Sequence, residues 1–292
     1  MTNSIEGDGK LRAKARAALP YELTNAQKEA LKEIFADMRA SERMVRLLQG
    51  DVGSGKTIVA FLSMLAAVES GAQAALMAPT EILARQHLES LAPLAGAAGV
   101  RMEILTGRDK GAARNEKLER LKAGNIDILL GTHALFQEGV GFRDLALVVI
   151  DEQHRFGVRQ RIALTQKGPK PDLLVMTATP IPRTLALTAY GDMEHSRIME
   201  KPPGRKPVDT RAIPMSRLDE VIAAVRRVAA DGDQAYWVCP LVEESDIIDL
   251  TAAEERFESL KTVLGDRVGL VHGRMAGPEK DAVMELFYRG EL

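Results

Sequence analysis

Residues Gly50 to Thr57 read GDVGSGKT, which fits G-x-x-x-x-G-K-[ST]. They stand between an apolar run, Met44–Gln49, and a segment, Lys56–Glu69, whose apolar residues recur at three- and four-residue spacing. Few short words restrict a fold so strongly. Glycine at 50, 53 and 55 lets the backbone curl without Cβ clashes, so that successive N–H groups face one anion, and the helix that follows adds the positive end of its dipole. A strand handing over to a helix through such a loop is a phosphate-binding loop. Its setting is a parallel sheet with helices in the crossovers. The spacing assigns Gly50, Gly53, Ser54 and Gly55 to the phosphate cradle, Lys56 to the β- and γ-phosphates and the Thr57 hydroxyl to a metal ion. The implied cofactors are ATP and Mg2+, and no second copy of the word occurs in the chain.

The remainder of the chain agrees with that setting. Short apolar runs at Met44–Gln49, Ala74–Ala78, Met102–Leu105, Ile126–Leu130, Leu145–Ile150 and Asp172–Met176 predict strands, each bounded by Gly, Pro, Thr or acidic residues. They are continuous rather than alternating, as strands buried on both faces are. Between them Lys56–Glu69, Glu81–Leu94 and Ala112–Lys122 carry helical periodicity. The expected fold is α/β, a P-loop NTPase sheet with helices on both faces. At Glu200–Pro207, EKPPGRKP, three prolines and a glycine interrupt the pattern, and this reads as a linker. A second α/β unit then begins. Strands are expected near Val208–Ile213, Gln234–Val242 and Val268–Val271, a helix at Ser216–Ala230, and another opened by a capping box at Thr251-x-x-Glu254. About 85 residues follow the linker, which is short for a doubly wound domain. The expected organisation is a tail or remnant of a preceding domain at 1–18, a first lobe at 19–199, the linker at 200–207 and an incomplete second lobe at 208–292.

With 292 residues, 46% hydrophobic and 27% charged, the chain can bury real cores. No run approaches the roughly 18 apolar residues of a membrane span, and the first twenty residues lack the apolar centre of a secretory signal. A cytoplasmic, membrane-free monomer is the expectation. The single Cys239 cannot form an internal disulfide, and His87, His133, His154, His195 and His272 show no metal-ligand spacing, so no zinc site is expected. A net charge of −2 does not advertise a nucleic-acid binder, which leaves that question to motifs.

The strand Leu145–Ile150 ends in Asp151 and Glu152. Acidic residues often mark the turn after a strand, but with a phosphate loop upstream these two have chemistry to do. Asp151 can hold magnesium through water, and Glu152 can orient or deprotonate the attacking water. His154 either senses the γ-phosphate through its neighbours or caps the turn. Kinases and transporters share such loops and carboxylates, so the loop alone does not name the work.

The neighbouring words do. LPYELTNAQ (Leu19–Gln27), GDVGSGKT, APTEILARQH (Ala78–His87), GTHAL (Gly131–Leu135), DEQHRFGVRQR (Asp151–Arg161) and TATPIPRT (Thr177–Thr184) occur in the order of superfamily 2 helicase motifs. The set resembles the RecG-type ATP-dependent DNA helicases, with DEQHRFGV as its most specific word. The transcription-repair coupling translocases are the nearest cousins and typically carry DEEQRFG. The resemblance implies a RecA-like motor that remodels branched or forked DNA in recombination and repair. It implies that Gln27 reads the adenine edge with Tyr21 packing near the base, the bland alternative for Gln27 being an ordinary helix residue. Pro79, Thr80, Arg85, Thr106, Gly107, Thr132 and His133 would line the path of one DNA strand, although any of them, Thr80 above all, can be a simple helix cap. Thr177 and Thr179, with His154, would link the nucleotide to the DNA site. Trp237 is expected in the core of the second lobe.

The pattern of such helicases continues, beyond the point that Val271–Leu292 reaches, into a QxxGRxGR helix with arginine fingers. That word is absent here, and Arg274 and Arg289 do not match it and are expected as surface charges. The chain therefore reads as a motor-core fragment. Its competing readings are a fragment that binds ATP and DNA with negligible turnover, and a P-loop kinase or transporter ATPase. The last of these leaves TATPIPRT and the Gln27 word unexplained.

Overall fold

Among the described residues seven parallel strands form one sheet, six of them on the expected apolar runs, in the order β3-β4-β2-β5-β6-β1-β7. They are β1 Val45–Gly50, β2 Gln73–Met77, β3 Met102–Leu105, β4 Ile128–Gly131, β5 Leu145–Asp151, β6 Asp172–Thr177 and β7 Glu194–Ile198. The structure is a computed structural model that describes residues 5, 7–137, 139–151, 171–179, 193–200, 208–239 and 246–292. The chain divides into two units, Met1–Lys206 and Pro207–Leu292.

Among the described residues of the first unit the α-helices are α1 Lys10–Ala17, α2 Asn25–Arg39, α3 Lys56–Glu69, α4 Glu81–Ala98 and α5 Gly111–Lys122. Side chains alternate across the sheet, so each central strand feeds two cores. Leu48, Ala74, Leu147, Val149 and Leu174 join one core with α1 to α4. Leu47, Ala75, Val148, Ile150 and Val175 face the other way, where Leu121 of α5 and Leu135 pack. Helix α3 is apolar nearly all round, and accordingly Ile58 to Ala67 are all buried.

Polar groups tie the layers. Gln73 is buried with its amide fully used: Nε2 donates to the carbonyls of Leu121 and Ile126, and Oε1 accepts from the N–H groups of Arg143 and Asp144. Arg46 of β1 donates to Asp37 and Glu33 of α2 and to Ser196 of β7. At the amino end of β6, burial pushes the Asp172 carboxyl up to about 6, against the Met44 N–H that donates to it at 2.8 Å and the charge of Arg43. The segment expected as a tail contains α1, which is docked on this unit. The Glu69 carboxylate, at the end of α3, accepts from Gly9 N, Arg12 N and Arg12 Nε, and the Arg12 guanidinium lies 4.6 Å from the Phe35 ring centre. Glu200, first residue of the expected linker, accepts from Ala26 N at the start of α2, and 201–207 lie outside the described residues.

The second unit has helices α6 Leu218–Ala230, α7 Asp246–Leu264 and α8 Gly277–Tyr288, and among the described residues it has no strand. The strands expected at Val208–Ile213 and Val268–Val271, and that expected at Gln234–Val242 as far as Cys239, are corrected on that point, 240–242 lying outside the described residues. Val268 is extended, but a strand exists only through a neighbour's ladder, and none forms here. The apolar residues of these runs, Val208, Ile213, Tyr236, Val238 and Val271, stay exposed. Thr251 lies inside α7, five residues past its start, so the Thr251–Glu254 pair does not open the helix. Trp237 is half-buried rather than core, with the Arg256 guanidinium 5.4 Å from its ring centre. What holds the unit includes the Tyr236 and Phe287 rings, 4.6 Å apart, and Gln234 Nε2, which donates to the carbonyls of Phe287 and Leu292.

Candidate functional site

The described candidates from the phosphate loop to Thr179 lie at or just beyond the carboxyl edge of the sheet, where open α/β folds place their ligands. Across that edge Thr106 and Gly107 follow β3, Thr132 and His133 follow β4, and Pro79 and Thr80 follow β2 and lead into α4 with Arg85. Next come Asp151 at the end of β5, Thr177 at the end of β6 and the phosphate loop after β1. One strand, β6, separates Asp151 from the loop, a span of about 10 Å at two strand spacings. Glu152 and His154 lie outside the described residues.

The loop is built tightly. Gly53 and Gly55 have φ of 76° and 88°, which side chains resist. A Cβ on Gly50 would stand 2.6 Å from Ser54 Oγ and 2.9 Å from the Ile198 carbonyl, and one on Gly55 would collide with the Gln27 amide. The ammonium of Lys56 is buried and donates to the carbonyls of Gly50, at 2.6 Å, and Asp51, at 3.0 Å. Ser54 Oγ is buried without a hydrogen-bond partner, and Gly55, which opens α3, offers no side-chain cap to its first turn. A cationic group folded onto the loop's own carbonyls, an orphaned hydroxyl and an uncapped helix start fit a triphosphate. Thr57 and Asp151 supply the hard oxygen donors that magnesium takes.

Asp151 is buried, and its Oδ2 lies 2.6 Å from Nε2 of His87 on α4. This partner was not foreseen from the sequence, where His87 figured as the last letter of a motif and as a histidine without metal-ligand spacing. Thr177 is fully buried. Its hydroxyl pairs with that of Thr179 at 2.9 Å and accepts from Thr179 N, while Gln49, next to Gly50, donates to the Thr179 carbonyl at 3.3 Å. The two threonines thus connect to the strand that carries the phosphate loop.

Gln27 closes a capping box: its Oε1 accepts from Thr24 N and its own N–H donates to Thr24 Oγ1, while Nε2 donates to the Ser54 carbonyl at 2.8 Å. It is 1% exposed, so in this conformation the amide grips the phosphate loop and is not presented to a base. Tyr21 is 51% exposed and lines an open cavity of about 630 Å³ with Arg16, Leu19, Glu22 and Lys28.

On the other half of the edge, Thr80 Oγ1 accepts from Leu83 N as the cap of α4. Thr106 is buried, its N–H donating to Asp109 and its hydroxyl accepting from Arg108 N. The exposed residues of that loop are Gly107, Arg108 and Lys110. Glu81 accepts from Arg85 at 2.7 Å and pairs with Arg108 at 3.3 Å, so one carboxylate holds two cations at the start of α4. Thr132 is buried, and His133 is exposed.

Residues 24–188, more than half of the chain, match the family model of the DEAD/DEAH box helicases. The chain belongs to that helicase family. This helicase chain is similar to the ATP-dependent DNA helicase RecG of Escherichia coli (strain K12), 50% identical over 294 residues that cover 99% of this chain and 42% of the relative. It is also similar to the RecG of Bacillus subtilis (strain 168), 53% identical over 272 residues, with 92% and 40% covered. The chain therefore spans less than half the length of these relatives. A solved structure of RecG bound to a three-way DNA junction matches with a TM-score of 0.79 at 43% identity, over 98% of this helicase chain and 38% of that one. The helicase MrfA bound to DNA matches in fold, with a TM-score of 0.64 at 18% identity, over 100% of this chain and 44% of that one. The RecA-like α/β class expected from the motifs is the observed one.

Proposed function

We propose that this chain is the motor part of a RecG-type, ATP-dependent DNA helicase that remodels branched DNA, such as stalled forks and Holliday junctions, in recombination and repair. The supporting observation is the division of the sheet edge. The groups suited to a triphosphate occupy β5, β6 and β1, and the groups suited to a strand's phosphates occupy β3, β4 and β2. Single-purpose phosphate enzymes need only the first half.

In this reading Lys56 exchanges the carbonyls of Gly50 and Asp51 for β- and γ-phosphate oxygens, and Ser54 and the Gly50–Gly55 backbone cradle the phosphates. Magnesium, when bound, neutralises charge on the phosphate oxygens, and Thr57 and Asp151 would hold it. Glu152 orients the attacking water and His154 relays the γ-phosphate state. Gln27 turns from the loop to the adenine edge beside Tyr21. The strand path runs over Pro79, Thr80, Arg85, Gly107 and His133, with Thr106 and Thr132 supporting it from beneath, and the Thr177–Thr179 pair joins the two halves. Residues 208–292 form part of a second lobe beyond a hinge at 200–207, and the protein works as a cytoplasmic monomer.

A second reading, in which the 292-residue chain binds ATP and DNA but turns over little, is favoured by its arginines. Arg274 and Arg289 are exposed, and Arg289 is paired with Glu285 on its own helix. An arginine supplied to the γ-phosphate is worth about 10³ to 10⁵ in rate. Steady-state ATPase with and without a model fork decides between the readings, with Lys56→Ala as the control. The substitution should weaken binding of a fluorescent ATP analogue by about 10- to 100-fold, on the order of 2 kcal/mol for a charge-assisted contact. Strong fork-stimulated turnover by this chain favours the first reading, and fork binding with negligible turnover the second. Absence of fork binding would remove both.

A further inference from the structure

The contact between His87 and Asp151 sits on the border between the two halves of the edge. β5 is the boundary strand, with β2 on one side and β6 on the other. The pleat of β5 puts Asp151 on the same face as Leu147 and Val149, which is the face α4 covers. That is why a side chain of α4 can reach the last residue of β5. The pair is close, 2.6 Å, and nearly closed off from water, with side chains 12% and 11% exposed.

The same stretch of helix that begins at the Thr80 cap carries Glu81, Arg85 and then His87. From residue 81 to residue 87 is a rise of about 9 Å, fewer than two turns. Over that length a capped helix moves as one piece. Its outer end is held by charge, through the bonds of Glu81 with Arg85 and Arg108. A phosphate arriving there competes with Glu81 for both arginines and so acts directly on this turn. Its inner end fixes a carboxylate: an imidazole N–H donating to Oδ2 restrains the rotation of the Asp151 side chain and leaves Oδ1 outside that bond. A neutral imidazole with the proton on Nε2 suffices.

We propose that His87 is a positioning residue that couples the two ligands: it sets the orientation of the Asp151 carboxylate according to whether nucleic-acid phosphate occupies the first turn of α4. The inference rests on the helicase reading above and adds to it the bond that carries the coupling. It is tested by binding alone. The affinity of the chain for mant-ADP with Mg2+ is measured with and without a saturating model fork, in wild type, His87→Ala and His87→Gln. In wild type the fork should shift mant-ADP affinity by at least about fivefold, and mant-ADP should shift fork affinity by the same factor, since coupling is reciprocal. His87→Ala should reduce that factor to within about twofold, while fork affinity without nucleotide stays within about threefold of wild type. His87→Gln, whose amide N–H can donate to the same carboxylate, should recover at least part of the coupling. Full coupling in His87→Ala overturns the proposal. So does loss of nucleotide binding without DNA, which would make the residue merely structural, and so does a glutamine variant as uncoupled as alanine. A wild-type chain that binds both ligands without coupling overturns the proposal alone. A wild-type chain that binds no nucleotide or no fork brings down the helicase reading together with it.

Discussion

The two units are written in the same style, apolar runs alternating with helical segments, but only the first turns its runs into a sheet. In Met1–Lys206 every interior strand has a neighbour on each side and buries both faces. In Pro207–Leu292 the described residues contain a single buried hydrophobic side chain, Leu260, and α6 has none. An apolar run states that a segment can serve as a strand; whether it does depends on a ladder partner that the run cannot specify. The first unit therefore draws its stability from close packing and the second from a few side-chain clasps.

Trp237, the sole tryptophan, belongs to the second unit, so its fluorescence follows that unit while far-UV circular dichroism is dominated by the first. The largest effect should come from Phe61→Ala in the fully buried α3, a cavity worth about 3–5 kcal/mol. In urea the dichroism midpoint should fall with the Trp237 transition unmoved, and a common shift of both signals would break the comparison by making the units one cooperative body.

Asp172 offers the next test, because its effect is confined to the first unit and switched by pH. Its folded-state carboxyl is raised to about 6 by burial. Below pH ~4 the carboxyl is protonated folded or unfolded and costs nothing; between ~4 and ~6 only the unfolded chain gives up the proton, so stability falls, and above ~6 the loss is complete at about 3 kcal/mol. Asp172→Asn keeps an oxygen for the Met44 N–H and removes the charge. It should raise the dichroism midpoint at pH 8 by the equivalent of about 2–3 kcal/mol, leave it unchanged at pH 4, and leave Trp237 unaffected at both. A gain that persisted at pH 4 would mean that something other than the proton is responsible.

The smallest effect concerns recognition. If the first unit carries the strand-binding face, Glu81→Gln frees Arg85 and Arg108 from their shared carboxylate and should tighten fork binding by about two- to fivefold, with a steeper dependence on salt. Fork affinity and salt slope both unchanged would shift the dominant contacts away from the start of α4.

How much was legible in the sequence follows from the same contrast. β1 to β6 could be read because burial on both faces leaves an unbroken apolar signature. β7 could not: its five residues, EHSRI, pair on one side only and keep Glu194 and Arg197 exposed, so no run results. α1 was hidden for another reason, since KLRAKARA has few apolar residues and is held also by a carboxylate 57 residues away in sequence. In the site, the placement of the Gly50–Thr57 loop and of Asp151 was legible because each stands directly at the end of an apolar strand. His87 was not, because its meaning depends on which face of the sheet α4 covers. Gln27 was singled out for the adenine edge, and its bonds to Thr24 and Ser54 could not be read because they depend on how α2 docks.

Helix α3 has the phosphate loop at one end and the Glu69 clasp on α1 at the other, about 20 Å apart. Packed on nearly every side and pinned at its far end by that clasp, it ties the loop that carries Lys56 to Arg12 and to the basic helix that begins at Lys10, so that loop and amino-terminal helix share one strut.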